Sequence, residues 1–265
     1  MSAADRWLRR VLQDGERRKC AAHIERLAPQ DGATAPWPPW VPEELAGSFA
    51  HAGIARPWRH QAEAAEAMWS GHHTAVATAA GSGKTLGLWL APLASLHVAD
   101  TVGRPAHLAE RRRAPTALYL SPTKALGADQ LAGLTRLTAN AGGPDVFRAV
   151  VCDGDAGFAE RRWAQATARA VLTNPDYLHF SLLAHHAHWS RFLAGLRWVL
   201  VDEAHVYRGL FGAHVALVMR RLRRVARHYG AVPTFALASA TIADPQATGA
   251  ALLGFSPDDI TCVSD

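Results

Sequence analysis

The sequence predicts an α/β fold, with a mostly parallel central sheet and helices on both faces. Short apolar runs recur at Thr74–Ala77, Ala117–Leu120, Ala149–Cys152, Ala170–Leu172, Trp198–Val201 and Thr234–Ala238, each followed by a polar turn and a helical stretch. Continuous apolar strands separated by helices indicate a sheet buried on both sides. Polar clusters stand at the carboxyl ends of these runs: Gly81–Thr85, Ser121–Lys124, Asp153–Asp155, Thr173–Asp176, Asp202–His205 and Ser239–Thr241. Open parallel sheets bind their ligands beyond that edge.

Ahead of the first strand, residues 1–28 read as a basic amphipathic helix or helix pair. Trp7, Leu8, Val11 and Leu12 recur at helical spacing among Arg6, Arg9, Arg10, Arg17, Arg18 and Lys19. Pro29, Pro36, Pro38, Pro39 and Pro42, with Trp37 and Trp40 between them, read as a stiff extended connector. The expected division is therefore an extension and connector over 1–42 and one α/β domain over 43–265. The 265 residues are 49% hydrophobic and 19% charged, as in a globular protein. No apolar run approaches the roughly 20 residues that span a bilayer, and nothing at the N-terminus resembles a secretory signal. Cys20, Cys152 and Cys262 lie too far apart for a C-x-x-C metal knuckle, and isolated cysteines suit a reducing, cytoplasmic setting. The net charge of +5 permits a polyanionic partner without requiring one.

The first strand leads into Thr78-Ala79-Ala80-Gly81-Ser82-Gly83-Lys84-Thr85, and then into the apolar helix that starts Leu86-Gly87-Leu88. Glycines in such a turn let successive backbone N–H groups face an anion, and the helix N-terminus adds its partial positive charge. Ala80, Gly81, Ser82 and Gly83 are thus expected to wrap a phosphate group. Lys84 is expected to reach the β- and γ-phosphates, and Thr85 to offer its hydroxyl to Mg²⁺. The usual G-x-x-x-x-G-K-[ST] pattern has Gly at its first position, where this chain has Thr78.

The fifth run, Trp198–Val201, ends in Asp202-Glu203-Ala204-His205. A carboxylate just past a buried strand suits a phosphate-bound Mg²⁺, which is the role expected of Asp202. Glu203 is expected to polarise the attacking water. Two carboxylates there also suit the start of a helix. Their pairing with the Gly81–Thr85 loop favours nucleotide chemistry.

Gly-Ser-Gly-Lys-Thr followed by Asp-Glu-Ala-His resembles superfamily 2 helicases of the DExH group. The chain from about residue 45 to 255 is similar to their first RecA-like domain, a P-loop NTPase fold. Gly53, Pro57, His60 and Gln61 resemble the Q motif, which implies that Gln61 reads the adenine edge with Trp58 or Arg56 against the base. Ser121-Pro122-Thr123-Lys124-Ala125-Leu126 with Gln130 resembles motif Ia. Thr173-Asn174-Pro175-Asp176 resembles motif Ib. The resemblance implies that Pro122, Thr123, Lys124, Thr173, Asn174 and Asp176 contact a nucleic-acid backbone. Hydroxyl, amide and ammonium groups at strand ends fit sequence-independent contact with phosphates. Ser239-Ala240-Thr241-Ile242 resembles motif III, which couples the nucleotide and nucleic-acid sites, and His205 is expected to share in that coupling. Asp153-Gly154-Asp155, the extended run Asp202–Gly209 and the arginine-rich helix after it are similar to YprA/MrfA-type DNA helicases. That family is associated with DNA repair, 3′ to 5′ movement and a C-terminal four-cysteine metal-binding domain. The second RecA-like domain and that cysteine cluster are expected in a longer chain.

The implied activity is ATP-dependent helicase action, with ATP and Mg²⁺ as cofactors and a single-stranded or partly duplex nucleic acid, DNA rather than RNA, as partner. Translocation without strand separation, and a nucleotide-switched binding module, remain alternatives. The helix Met219–Arg227 is expected to pack Leu217, Val218, Leu222 and Val225 on the sheet with its arginines solvated. The chain holds 14 histidines, but His185-His186-Ala187-His188 lacks the carboxylates at matched spacing that a metal site needs.

Overall fold

A computed structural model describes residues 3–13, 15–20, 23, 32–79, 81–101, 114–240 and 244–264. Two compact units result, residues 1–32 and 33–265. In the first, helices span Ala3–Leu12 and Gly15–Cys20, and Trp7 is exposed, so the expected apolar stripe is not fully covered.

The second unit is built on seven strands, all parallel, in the order β3-β4-β2-β5-β6-β1-β7. They are β1 His73–Ala77, β2 Thr116–Leu120, β3 Ala149–Val151, β4 Ala170–Thr173, β5 Leu196–Val201, β6 Thr234–Ser239 and β7 Ile260–Ser264. Six coincide with the expected runs to within two residues. β7 was not foreseen. It is an edge strand whose burial alternates unevenly, with only Ile260 and Val263 buried, so it lacks the apolar run by which the inner strands are recognised.

Side chains alternate across the sheet and feed two cores. Leu118, Leu120, Val199, Val201, Phe235 and Leu237 meet the helices Gly209–His228 and Pro245–Leu253 through Met219, Leu222 and Leu253. Tyr119, Trp198, Leu200 and Ala236 face the opposite way. There the helices Glu43–His51, Arg59–Trp69, Lys84–Thr101 and Lys124–Thr138 contribute Phe49, Met68, Trp89 and Leu134. Trp198 satisfies its buried indole by donating to Ser95 Oγ at 2.8 Å.

The arginine-rich helix departs from expectation at one position. Leu217 is 64% exposed, while Val215, Val218, Met219, Leu222 and Ala226 form the buried stripe. Several arginines are not simply solvated. Arg223 donates to the carbonyls of Leu253 and Gly254 and lies 3.7 Å from the Phe255 ring centroid. Arg221 donates to the carbonyls of His179 and Leu183. These guanidinium groups close the carbonyl ends of neighbouring segments.

The compact body begins at Ala33, ahead of the boundary expected near residue 43. Residues 33–42 are packed rather than free. Trp40 stacks on Trp69 at 4.4 Å and donates to Glu66 Oε2 at 2.7 Å, Trp37 lies 5.3 Å from Phe49, and Val41 is buried. Prolines stiffen this stretch while its tryptophans anchor it to the Glu43–His51 and Arg59–Trp69 helices. Trp40→Ala is therefore expected to lower unfolding free energy by about 2 kcal/mol in urea denaturation. A free connector would give no change.

Candidate nucleotide and nucleic-acid site

Because every strand runs the same way, all carboxyl ends share one edge. Register places Thr173, Leu120 and Val201 in one row, and Ser239 beside Ala77. The segments that follow these residues carry the expected site. β1, which leads into the glycine-rich loop, and β5, which leads into Asp202, are separated only by β6, which ends in Ser239.

The loop is tied to its surroundings at each turn. Lys84 Nζ donates to the carbonyls of Thr78 (3.0 Å) and Ala79 (2.8 Å), which holds the ammonium over the end of β1. Thr78 explains the departure from the usual pattern. It is buried, and its hydroxyl lies 2.6 Å from Ser82 Oγ, so the extra side chain clamps the loop across its own width. Gly83 has φ 81°, which favours glycine, and a Cβ there would push against Gln61 Nε2 at 2.6 Å and disturb its bond to the loop. Gly81 also has positive φ. Ala80 lies outside the described residues.

Gln61 is committed to protein contacts. Its Oε1 accepts from the Trp58 backbone N–H and its Nε2 donates to the Gly83 carbonyl, both at 2.8 Å. The residue expected to read an adenine edge thus also fixes the start of the Arg59–Trp69 helix against the loop. Trp58 is 41% exposed, which leaves a ring face open to a planar ligand. Sequence reasoning gave His60 no contact with the loop, yet its Nε2 lies 3.1 Å from the Ser82 carbonyl.

Asp202 is oriented through both oxygens. Oδ1 accepts the Glu203 backbone N–H at 2.8 Å, and Oδ2 accepts the Tyr119 hydroxyl at 2.6 Å. Burial and the adjoining Asp202 carboxylate raise the Tyr119 pKa far above its ordinary value, so the phenol remains a donor. Tyr119 was not anticipated as a site residue; the only trace in sequence is a hydroxyl inside an otherwise apolar strand. Glu203 occupies the left-handed region (φ 49°, ψ 45°), a strained conformation for a side chain with a Cβ. Its Oε2 lies 3.1 Å from His205 Nδ1, which is also 3.4 Å from Ser239 Oγ. His205 therefore touches both the carboxylate turn and the end of β6. Ala240 follows Ser239, and Thr241 and Ile242 lie outside the described residues.

Thr85 lies in the first turn of the Lys84–Thr101 helix, and Gln130 Nε2 donates to its hydroxyl at 3.3 Å. Gln130 Oε1 is buried with no hydrogen-bond partner among the described residues. A hydroxyl and a carboxylate are hard oxygen donors of the kind Mg²⁺ takes, so Thr85 and Asp202 fit a magnesium-bound phosphate.

The expected nucleic-acid contacts divide into two groups. Lys124 reaches out from the edge and pairs with Asp155 at 2.5 Å; this hydrogen bond raises its pKa. Thr123 and Pro122 stand at the same loop, where Thr123 caps the Lys124–Thr138 helix through Leu126 N. Thr173, in contrast, is buried and its hydroxyl donates to the Cys152 carbonyl at 2.6 Å. Its side chain links β4 to the end of β3 and cannot serve a phosphate without breaking that bond. Asn174 accepts from Tyr177 N at 2.9 Å as a helix cap, with exposed Asp176 beside it. Among the described residues no cluster of three or more His, Cys, Asp or Glu is placed to hold a metal, and none of the helices is long and apolar enough to cross a membrane.

The family model for the DEAD/DEAH box helicase matches residues 58–248. The chain belongs to this family. It is 34% identical over 247 residues to the ATP-dependent helicase YprA of Bacillus subtilis, covering 93% of this chain and 31% of that protein. It is 33% identical over 208 residues to the ATP-dependent helicase hrq1 of Schizosaccharomyces pombe, covering 78% of this chain and 18% of the other. Among solved structures, the DUF1998 helicase MrfA bound to DNA and AMPPNP is 35% identical with a TM-score of 0.78, covering 90% of this chain and 31% of that one. The chain thus spans about a third or less of the length of these relatives. Its sheet and helices form the first RecA-like domain of a superfamily 2 helicase, in the P-loop NTPase fold.

Two phenols near Asp202 give a direct test of how the carboxylate is held. Tyr207 is also buried, but its hydroxyl has no hydrogen-bond partner among the described residues. Tyr119→Phe strips a donor from Asp202 and is expected to cost about 2 kcal/mol in chemical denaturation. Tyr207→Phe removes an unpaired buried hydroxyl and is expected to be neutral or stabilising. Equal losses would contradict the assignment of Tyr119 as the orienting donor.

Proposed function

We propose that this domain binds ATP with Mg²⁺ and drives movement along, or unwinding of, DNA. The observation that carries the reading is the joining of the β1 loop, the Asp202–His205 turn and the end of β6 along one sheet edge. ATP would lie between Gln61, the Gly81–Thr85 loop and the Asp202/Glu203 pair, with Trp58 offering its ring to the base. Lys84 would exchange its bonds to Thr78 and Ala79 for phosphate oxygens. Thr85 and Asp202 would hold Mg²⁺, which neutralises phosphate charge when bound. Asp202 enters that role already oriented by Tyr119 and the Glu203 N–H, so little rearrangement is needed. Glu203 accepts a proton from the water it positions, and His205 is close enough to sense its charge state.

The strand itself would run across Pro122, Thr123, Lys124, Asn174 and Asp176, with Lys124 trading Asp155 for a backbone phosphate. Thr173 would contribute through its backbone, its hydroxyl being engaged with Cys152. DNA is favoured over RNA because the helicase MrfA, at 35% identity, was solved bound to DNA, while the ssRNA-bound DEAD-box helicase Mss116, at 16% identity, shares the fold alone. A role in DNA repair, 3′ to 5′ movement and a cytoplasmic location are part of the same proposal and rest on the motif resemblance alone. The rest of the motor, including a second RecA-like domain facing this edge, is part of the same proposal.

Lys84→Ala is expected to lower ATP·Mg²⁺ affinity at least tenfold in isothermal titration with the fold unchanged by circular dichroism. Unchanged affinity would remove the loop from the site. Glu203→Gln is expected to retain nucleotide binding yet reduce turnover by about 100-fold or more in whatever length of the protein hydrolyses ATP. Normal turnover in that variant would assign the water-positioning role elsewhere.

A further inference from the structure

A groove of about 540 Å³ lies between the segment after β4 and the long Gly209–His228 helix. Val215 and Val218 are buried at its base, and Phe180, Phe211 and Leu217 stand along it, 71%, 44% and 64% exposed. Three large apolar side chains exposed together on one surface form a patch of the kind that marks a contact site. Three guanidinium groups, Arg220, Arg221 and Arg224, line the same groove against one carboxylate, Asp176. Arg220 and Arg221 are held by the carbonyls of Ala216, Ala251, His179 and Leu183, which fix their positions without cancelling their charge. Arg224 is exposed.

Accessible aromatic faces beside fixed cations suit a single-stranded nucleic acid, whose bases stack while its phosphates meet positive charge. An apolar protein segment would gain nothing from three arginines. Position agrees with charge. Pro175 and Asp176 line the groove and also follow Asn174 at the carboxyl end of β4, so one surface runs on from the other.

We propose that this groove is a second track for single-stranded nucleic acid, extending the strand beyond the edge loops, with bases on Phe180 and Phe211 and phosphates at Arg220 and Arg224. It rests on the strand-binding reading given above, and it adds a site for the nucleotides outside the edge loops.

Fluorescence anisotropy with labelled single-stranded DNA of about 5 and about 15 nucleotides separates the two sites. The wild-type chain should bind the longer strand more tightly. Phe180→Ala with Phe211→Ala should lose roughly tenfold affinity for the long strand and little for the short one. Phe180→Tyr should keep the long-strand affinity, because a phenol stacks as well. Arg224→Glu should reduce the dependence of log affinity on log salt by about 1. Lys124→Glu, at the edge loops, should weaken both lengths. Wild-type behaviour of the groove variants toward both lengths overturns the proposal and leaves the surface to a protein partner. Failure of the wild-type chain to bind either length overturns the edge-loop reading as well.

Discussion

The parallel register of the sheet is the constraint on which the rest depends. It gathers six chemically distinct loops on one edge, although their residues lie as far apart in sequence as Gly81 and Ser239. Hydrogen bonds then convert adjacency into a site. Asp202 N donates to the Leu120 carbonyl and Ser121 N to that of Thr173, so each loop leaves its strand bonded to the next. Across that row Tyr119 reaches Asp202, Gln130 reaches Thr85, and His205 reaches Ser239. Shifting any strand by one residue would turn its side chains to the opposite face and disassemble these contacts.

Under the proposed function, the route between nucleotide and strand would be short. Gln130 belongs to the helix that starts at Lys124, and its amide holds the hydroxyl of Thr85. Through one ring nitrogen, His205 similarly links the carboxylate of Glu203 to the hydroxyl of Ser239. Strain at Glu203, held at positive φ, is consistent with a residue placed for chemistry at some cost in backbone energy.

The parts of this design that follow from burial were legible in the sequence. Inner strands such as β2 and β5 are apolar on both faces, so they read as unbroken runs, and their polar ends mark the site. β7 escaped because an edge strand buries only part of its side chains. The glycine-rich loop and Asp202–Glu203 stood out because a phosphate cradle favours glycine, while a cation or a polarised water favours carboxylate. What stayed hidden depends on long-range geometry. Nothing local announces that Thr78 would clamp Ser82, that Tyr119 would orient Asp202, or that the Thr173 hydroxyl would turn inward to Cys152. Pro36, Pro38, Pro39 and Pro42 favour an extended path, but the sequence does not reveal that Trp37 and Trp40 find partners near Phe49 and Trp69.

The central claim is that this edge forms an ATP·Mg²⁺ site. It is tested most directly by calorimetric titration of ATP into the 265-residue chain, with and without Mg²⁺. The account predicts one saturable site per chain, tightened by Mg²⁺ because Thr85 and Asp202 hold the ion. No saturable binding, or affinity indifferent to Mg²⁺, would contradict it.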